Sequence, residues 1–134
     1  MTTTFTVDLT ITLPEGGRLA KQLLNIYFAD MPVDINKTAY NLCEANEAIQ
    51  AQKFNELTLK RADVWSSEDG GLKVFARFSV SGEDSAFVEK VIAEYINGFS
   101  DCLRRASAGY FSHTDTRPVI SLQPSDWKAE VNAA

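Results

Sequence analysis

The sequence predicts an α+β fold in which one antiparallel sheet carries its helices on one face. Three observations support this prediction. Residues 4–13 alternate strictly between polar and apolar side chains. Residues 72–81 carry apolar side chains at every second position, with Phe75 as an outward aromatic exception, and residues 85–108 carry apolar side chains at helical spacing. Strands of the alternating kind bury one face and leave the other in water. The expected architecture is therefore a sheet with one covered and one open face.

The first part of the chain predicts one strand followed by two helices. Apolar side chains recur at helical spacing after the break at residues 14–17, up to about Ala29. Pro32 is expected to end this helix because proline cannot continue the helical hydrogen bonding. Asp34 is expected to cap a second helix, which carries a weaker apolar stripe up to Ile49.

The rest of the chain, from about residue 54 onward, is predicted to form a hairpin, a long helix and a last strand. The alternation slips by one residue between Leu57 and Val64, which is typical of a β-bulge. Residues 66–71 are rich in short polar residues and glycine and predict the hairpin loop. The long helix is expected from Ser85 to Ala108, with Asp84 among its capping residues, and the last strand over residues 118–122. The order β-α-α-β-β-α-β reduces to the ferredoxin-like split β-α-β arrangement when either of the first two helices is left out.

Length and composition predict one domain. The chain has 134 residues, 45% of them hydrophobic, which is enough to build a core without metal or disulfide bonds. The domain is expected over residues 1–127, and residues 128–134 are expected to fray. Cys43 and Cys102 are expected to be buried free thiols, and the first residues do not resemble a secretion signal, so a cytoplasmic location is predicted.

The charge balance disfavours a nucleic-acid partner. With 13 Lys and Arg against 18 Asp and Glu, the net charge is −5, whereas nucleic-acid binding depends on clustered cations. The acidic residues are scattered along the chain, as on an ordinary protein surface. An acidic inhibitor that mimics nucleic acid remains an alternative, and it would require aligned carboxylates on one face.

The segment 73–80 is similar in one respect to the third strand of RNA-recognition-motif proteins. Lys73 and Phe75 match the basic and aromatic positions that this family presents on its open sheet face. The similarity ends at Arg77, where a second aromatic residue is expected, and the first strand offers threonines and Asp8 instead of an aromatic residue. Combined with the negative charge, this resemblance does not favour RNA binding.

Catalytic and metal sites have little support in the sequence. The only histidine, His113, could be oriented by Asp115, but no nucleophile is placed in line with it by spacing alone. No metal site and no cofactor are predicted, because one histidine and two separate cysteines supply too few ligands. A small enzyme or anion-binding domain remains an alternative through the turn that opens the first helix, with Gly16, Gly17, Arg18 and Lys21.

The open sheet face carries the strongest functional prediction. Aromatic residues and arginine among polar neighbours are typical of protein contact surfaces. The residues expected on this face are Trp65, Lys73, Phe75 and Arg77. The sequence therefore predicts a small non-catalytic interaction protein, an adaptor, inhibitor or assembly factor. Its partner is expected to be another protein or a second copy in a homodimer, bound through the open sheet face or through an edge of the sheet.

Overall fold

The computed structural model describes residues 2–13, 17–45, 57–59, 62–67, 72–110 and 122–133. It confirms an α+β fold with an open antiparallel sheet. The strands are β1 (Thr3–Leu13), β2 (Thr58–Leu59), β3 (Asp63–Ser67), β4 (Leu72–Gly82) and β5 (Trp127–Ala133). The helices are α1 (Gly17–Ala45), α2 (Ser85–Asn97) and α3 (Phe99–Tyr110), and a short 3₁₀ turn at Pro124–Asp126 precedes β5.

The strands lie in the order β2-β4-β1-β5, and β3 pairs with β4 beside β2. Every pairing between the described strands is antiparallel. Leu59 lies opposite Val80 and Asp63 lies opposite Arg77. The chain therefore advances four residues from β2 to β3 while β4 advances three. The registers of β2 and β3 against β4 thus differ by one residue, as expected from the slip that the sequence predicts for a bulge.

The core lies between the inner face of the sheet and the helices. The inner-face side chains of β1 and β4 are buried, and their residues are Phe5, Val7, Leu9, Ile11, Val74, Ala76, Phe78 and Val80. An aromatic cluster joins the helices to the sheet, with the Phe99 ring centroid 5.9 Å from that of Tyr27 and 4.9 Å from that of Trp127. Inside this cluster the hydroxyls of Tyr27 and Tyr95 form a buried hydrogen bond, which satisfies polar groups that would otherwise be costly to bury.

The predicted break at Pro32 is wrong, because α1 runs through this proline as one helix. Asp34 therefore lies inside α1 and does not cap a second helix. The apolar stripe explains this difference: Phe28, Met31 and Ile35 continue at helical spacing and are each at most 1% exposed. Burying side chains of this size contributes about 1.5–3 kcal/mol each, which together exceeds the cost of about 3 kcal/mol for an interior proline.

The predicted helix from Ser85 to Ala108 is divided at Gly98 into α2 and α3. The Gly98 N–H donates to the carbonyl of Glu94 at 3.1 Å, and the Cys102 N–H donates to the carbonyl of Gly98 at 2.9 Å. These helix-like bonds keep the apolar stripe in phase across the division, which is why the sequence shows one period. Asp84 is confirmed as the N-cap of α2, where its carboxylate accepts from the Phe87 N–H at 3.1 Å.

The end of the chain also differs from the prediction. Residues 128–133, expected to fray, belong to β5, which pairs with β1 from Trp127 opposite Ile11 to Ala133 opposite Phe5. The backbone hydrogen bonds of this pairing hold a segment that has few large apolar side chains to bury. The strand predicted over residues 118–122 lies, except for Leu122, outside the described residues. Within the described ranges, no helix is long and apolar enough to cross a membrane.

Candidate functional site

The outer face is the face of the sheet that points away from the core, and it carries Thr4, Thr6, Asp8, Thr10 and Thr12 of β1. The strand registers arrange its side chains in rows across the sheet. One row contains Trp65, Phe75, Thr10 and Lys128 in neighbouring strands, and the next row contains Asp63, Arg77, Asp8 and Glu130. Four strands therefore contribute to one continuous surface.

Two aromatic rings lie together on this surface. Trp65 and Phe75 are directly opposite in β3 and β4, and their rings stack with centroids 5.7 Å apart and an interplanar angle of 16°. Trp65 remains 47% exposed, whereas Phe75 is half-buried. Cross-strand aromatic pairs of this kind stabilise a sheet. A large part of the indole is nevertheless left for contact with another molecule.

Arg77 is held in place beside these rings. Its Nε donates to Asp8 Oδ1 at 2.6 Å, and its guanidinium carbon lies 6.0 Å from the centroid of the Trp65 ring. The hydrogen bond to Asp8, and then the attraction between the two charges, raise the pKa of Arg77. The guanidinium therefore stays charged, and its pairing with Asp8 directs it toward β1 and across the Trp65 ring. We refer to Trp65, Phe75, Arg77 and Asp8 as the aromatic–arginine cluster.

A groove of about 330 Å³ lies next to this cluster on the outer face. It is lined by the residues Thr10, Thr12, Lys73, Phe75, Ser125, Asp126, Trp127 and Lys128. Asp126 is already engaged, because its Oδ2 accepts from the Gln123 N–H at 2.8 Å. Lys73 and Lys128 against the one carboxylate of Asp126 leave the described lining with a net charge of 2 − 1 = +1, although the chain as a whole is acidic.

The structure brings Trp65, Lys73, Phe75 and Arg77 onto one face, at the positions where the sequence predicts a partner-binding surface. The sequence prediction omits Asp8 as the partner of Arg77 and omits Lys128 altogether. Both omissions depend on pairings between distant segments. Asp8 lies opposite Arg77 across the β1–β4 pair, and the β5 strand that carries Lys128 is not predicted.

The other predicted site, the anion-binding turn, lies largely outside the described residues. Gly16 is not described, and neither is the side chain of Arg18. Gly17 begins α1, and Lys21 is half-buried on that helix. His113 also lies outside the described residues.

The buried polar groups offer little chemistry. Burial is the largest cause that raises the pKa of Tyr95 well above its usual value, followed by the neighbouring Tyr27. This phenol is therefore a neutral hydrogen-bonding group at physiological pH. Cys43 is buried and free as predicted, whereas Cys102 is free but only half-buried. Among the residues that the structure describes, no group of three or more His, Cys, Asp or Glu could hold a metal ion.

A second cavity, of about 360 Å³, lies beside α1 and β3. Its lining residues are Asn25, Ala29, Ala62, Asp63 and Val64. Among the described residues, this lining contains one carboxylate and no histidine or thiol, so those residues do not assemble an acid, a base and a nucleophile. The outer face remains the surface with the most organised side chains.

No protein-family model matches this chain, and neither a characterised protein nor a solved structure matches it. The geometry of the outer face is therefore the basis for assigning a function to this chain.

Proposed function

We propose that the outer face binds another protein, with Trp65, Lys73, Phe75 and Arg77 as the contact residues. The observation that carries this proposal is the aromatic–arginine cluster, in which an exposed tryptophan stacks on Phe75 and lies under Arg77. Tryptophan and arginine are the residue types that most often dominate binding energy at protein interfaces.

The fixed geometry of the cluster supports this function. Ordering a long side chain on binding costs about 0.5–1.5 kcal/mol. In the free chain, Arg77 is already paired with Asp8, and the Trp65 ring is already stacked on Phe75. A partner would therefore meet a surface that needs little rearrangement.

The charge of the groove indicates the chemistry of the partner. Lys73 and Lys128 lie at one end of the surface, next to Phe75, and the hydroxyls of Thr10 and Thr12 line the same groove. A partner surface with an apolar or aromatic centre and one or more carboxylates at its rim complements this arrangement. The acidic-mimic alternative fits less well, since Arg77 stands between Asp63 and Asp8 in the row of charges.

We also infer the ferredoxin-like split β-α-β arrangement for this chain. In support, α1 connects β1 to β2 and β3, and β4 lies between these strands in the sheet. In the same way, α2 and α3 connect β4 to β5, and β1 lies between those two strands. Helices that cross over one face leave the other face uncovered. The free cysteines fit a reducing compartment, so we place this function in the cytoplasm.

The test is affinity capture from cell lysate with the full chain as bait, quantified by mass spectrometry. Trp65→Ala and Arg77→Ala should each lower capture of the same partner by at least about tenfold, as expected for interface hot spots. Tyr40→Ala is the matched control, because Tyr40 is also 47% exposed but lies on α1. Circular dichroism checks that each variant folds.

The proposal is wrong if both cluster variants retain the partner, or if Tyr40→Ala loses it to the same extent. Light scattering covers the case in which the partner is a second copy bound through the outer face. In that case Trp65→Ala should convert the dimer to a monomer.

A further inference from the structure

The two edges of the sheet differ in how open they are to further pairing. At one edge, the register slips by a residue between β2 and β3, and a bulge of this kind discourages the addition of another strand. At the other edge, β5 keeps one unbroken register over seven residue pairs with β1. In the described part of the chain, β5 pairs with no strand other than β1.

The side chains of β5 give only part of the usual protection of an edge strand. Proteins protect such an edge with charged residues, with proline or with a charge that points inward. Of these, β5 has only the first, in Lys128 and Glu130 on its outer face. The inner-face residues of β5 are Trp127, Ala129, Val131 and Ala133, all apolar, and the strand contains no proline. Val131 is 44% exposed although it lies on the inner face. Among the described residues, none pairs with the backbone edge of β5 that points away from β1, and Val131 leaves apolar surface exposed there.

The two charged side chains of β5 have no ion-pair partner among the described residues. Lys128 and Glu130 lie on the outer face, two residues apart, and neither forms an ion pair in the described ranges. Glu130 lies directly opposite Asp8, which pairs with Arg77. Like charges in opposite positions destabilise a sheet. A cation beside Glu130 from outside the chain would relieve this repulsion.

We propose that β5 pairs antiparallel with β5 of a second copy of this chain, about a two-fold axis at Ala129. Such an axis is perpendicular to the sheet and keeps the outer faces of both copies on the same side. Residues that lie directly opposite each other must then point to the same face, so the axis passes through a residue position and not between two residues. With the axis at Ala129, Lys128 lies opposite the partner's Glu130, and Glu130 lies opposite the partner's Lys128. Each strand thus satisfies the charges of the other.

Neighbouring registers lack this complementarity. An axis at Glu130 would place Glu130 opposite the partner's Glu130. An axis at Val131 would place Glu130 opposite the partner's Asn132. The axis at Ala129 also places Val131 opposite the partner's Trp127 on the inner face. Trp127 is anchored by its contact with Phe99, with ring centroids 4.9 Å apart, so it provides a fixed apolar cover for Val131.

The dimer makes one continuous sheet with two aromatic–arginine clusters on the same side. If the proposed function is also correct, a partner with two copies of its own site would bind by avidity. The edge pairing itself does not depend on that function, because it uses β5 and leaves Trp65 and Arg77 uncovered.

The test measures the dimer dissociation constant of the full chain by light scattering and sedimentation over a concentration series. Lys128→Glu and Glu130→Lys each turn two attractive cross-strand pairs into two repulsive pairs, and each should raise the dissociation constant at least about tenfold. The double variant reverses both charges, restores the attraction, and should return to within about threefold of the natural chain. Lys90→Glu, on the exposed surface of α2, is the control for net charge.

Four results would overturn the proposal. These are a natural chain that stays monomeric throughout the series, a double variant no better than the single variants, a Lys90→Glu effect equal to that of Lys128→Glu, or a dimer that Trp65→Ala abolishes. Hydrogen exchange supplies a second measurement that does not depend on charge variants. Alternate amides of β5, those pointing away from β1, should become more protected as concentration rises, and unchanged exchange would also contradict the pairing.

Discussion

Replacing Pro32 by alanine should stabilise this protein. Pro32 lies inside α1, where it cannot donate a hydrogen bond to the carbonyl of Phe28. Proline in a helix interior costs about 3 kcal/mol relative to alanine. Proline also restricts the unfolded chain, an advantage of about 0.4–1 kcal/mol that the variant loses. The expected gain in the free energy of unfolding is therefore about 2 kcal/mol.

This gain corresponds to a rise in Tm of about 7 °C, since a chain of 134 residues unfolds with an entropy of about 0.28 kcal/mol/K. Thermal unfolding followed by circular dichroism measures it, and urea unfolding gives an independent free energy. Val33→Ala is the control, because Val33 is 56% exposed on the same turn and its replacement should change stability by less than about 0.5 kcal/mol. An unchanged or lower Tm for Pro32→Ala would refute the continuous helix and favour a break at Pro32.

Two further predictions concern the polar groups near the core. Burial is the largest cause that raises the pKa of Asp34, and the attraction of Lys37 and Arg105 only partly opposes it. The ionised carboxylate of Asp34 is therefore less stable in the folded than in the unfolded chain. It lowers the free energy of unfolding at neutral pH, and this loss disappears as the pH falls below the usual carboxyl pKa. Asp34→Asn should therefore raise Tm at pH 7 and leave it unchanged near pH 3, whereas a loss of Tm at pH 7 would contradict this sign. Tyr95→Phe removes the buried hydrogen bond to Tyr27 and should cost about 1 kcal/mol. In a double-mutant cycle with Tyr27→Phe, the double variant should lose less than the sum of the single variants, and strict additivity would show that the hydroxyls do not interact.

The features that the sequence predicts correctly are local ones. The alternation along β1 and β4 separates buried from outer residues, because successive side chains of a strand point to opposite faces. The position of Asp84 before an apolar stripe predicts that it caps α2. A slip in the polar–apolar alternation predicts the change of register between β2 and β3. Each of these signals is contained within a few neighbouring residues.

The errors arise where a distant contact outweighs a local signal. Pro32 is a strong local break, but the side chains on both sides of it are buried against the rest of the core, and their burial maintains α1. The strand β5 has small alanines at alternate positions and therefore a weak apolar pattern. Its pairing with β1 comes from segments that are more than a hundred residues apart in the sequence.

The candidate site shows the same division between sequence and tertiary structure. Strand periodicity alone assigns Trp65, Phe75 and Arg77 to outward positions, because alternate residues of a strand share a face. The stack of Trp65 on Phe75, the ion pair of Arg77 with Asp8 and the place of Lys128 in the same row as Trp65 all depend on the pairing between strands. The register of that pairing follows from hydrogen bonding and burial summed over the whole sheet, which no single segment contains.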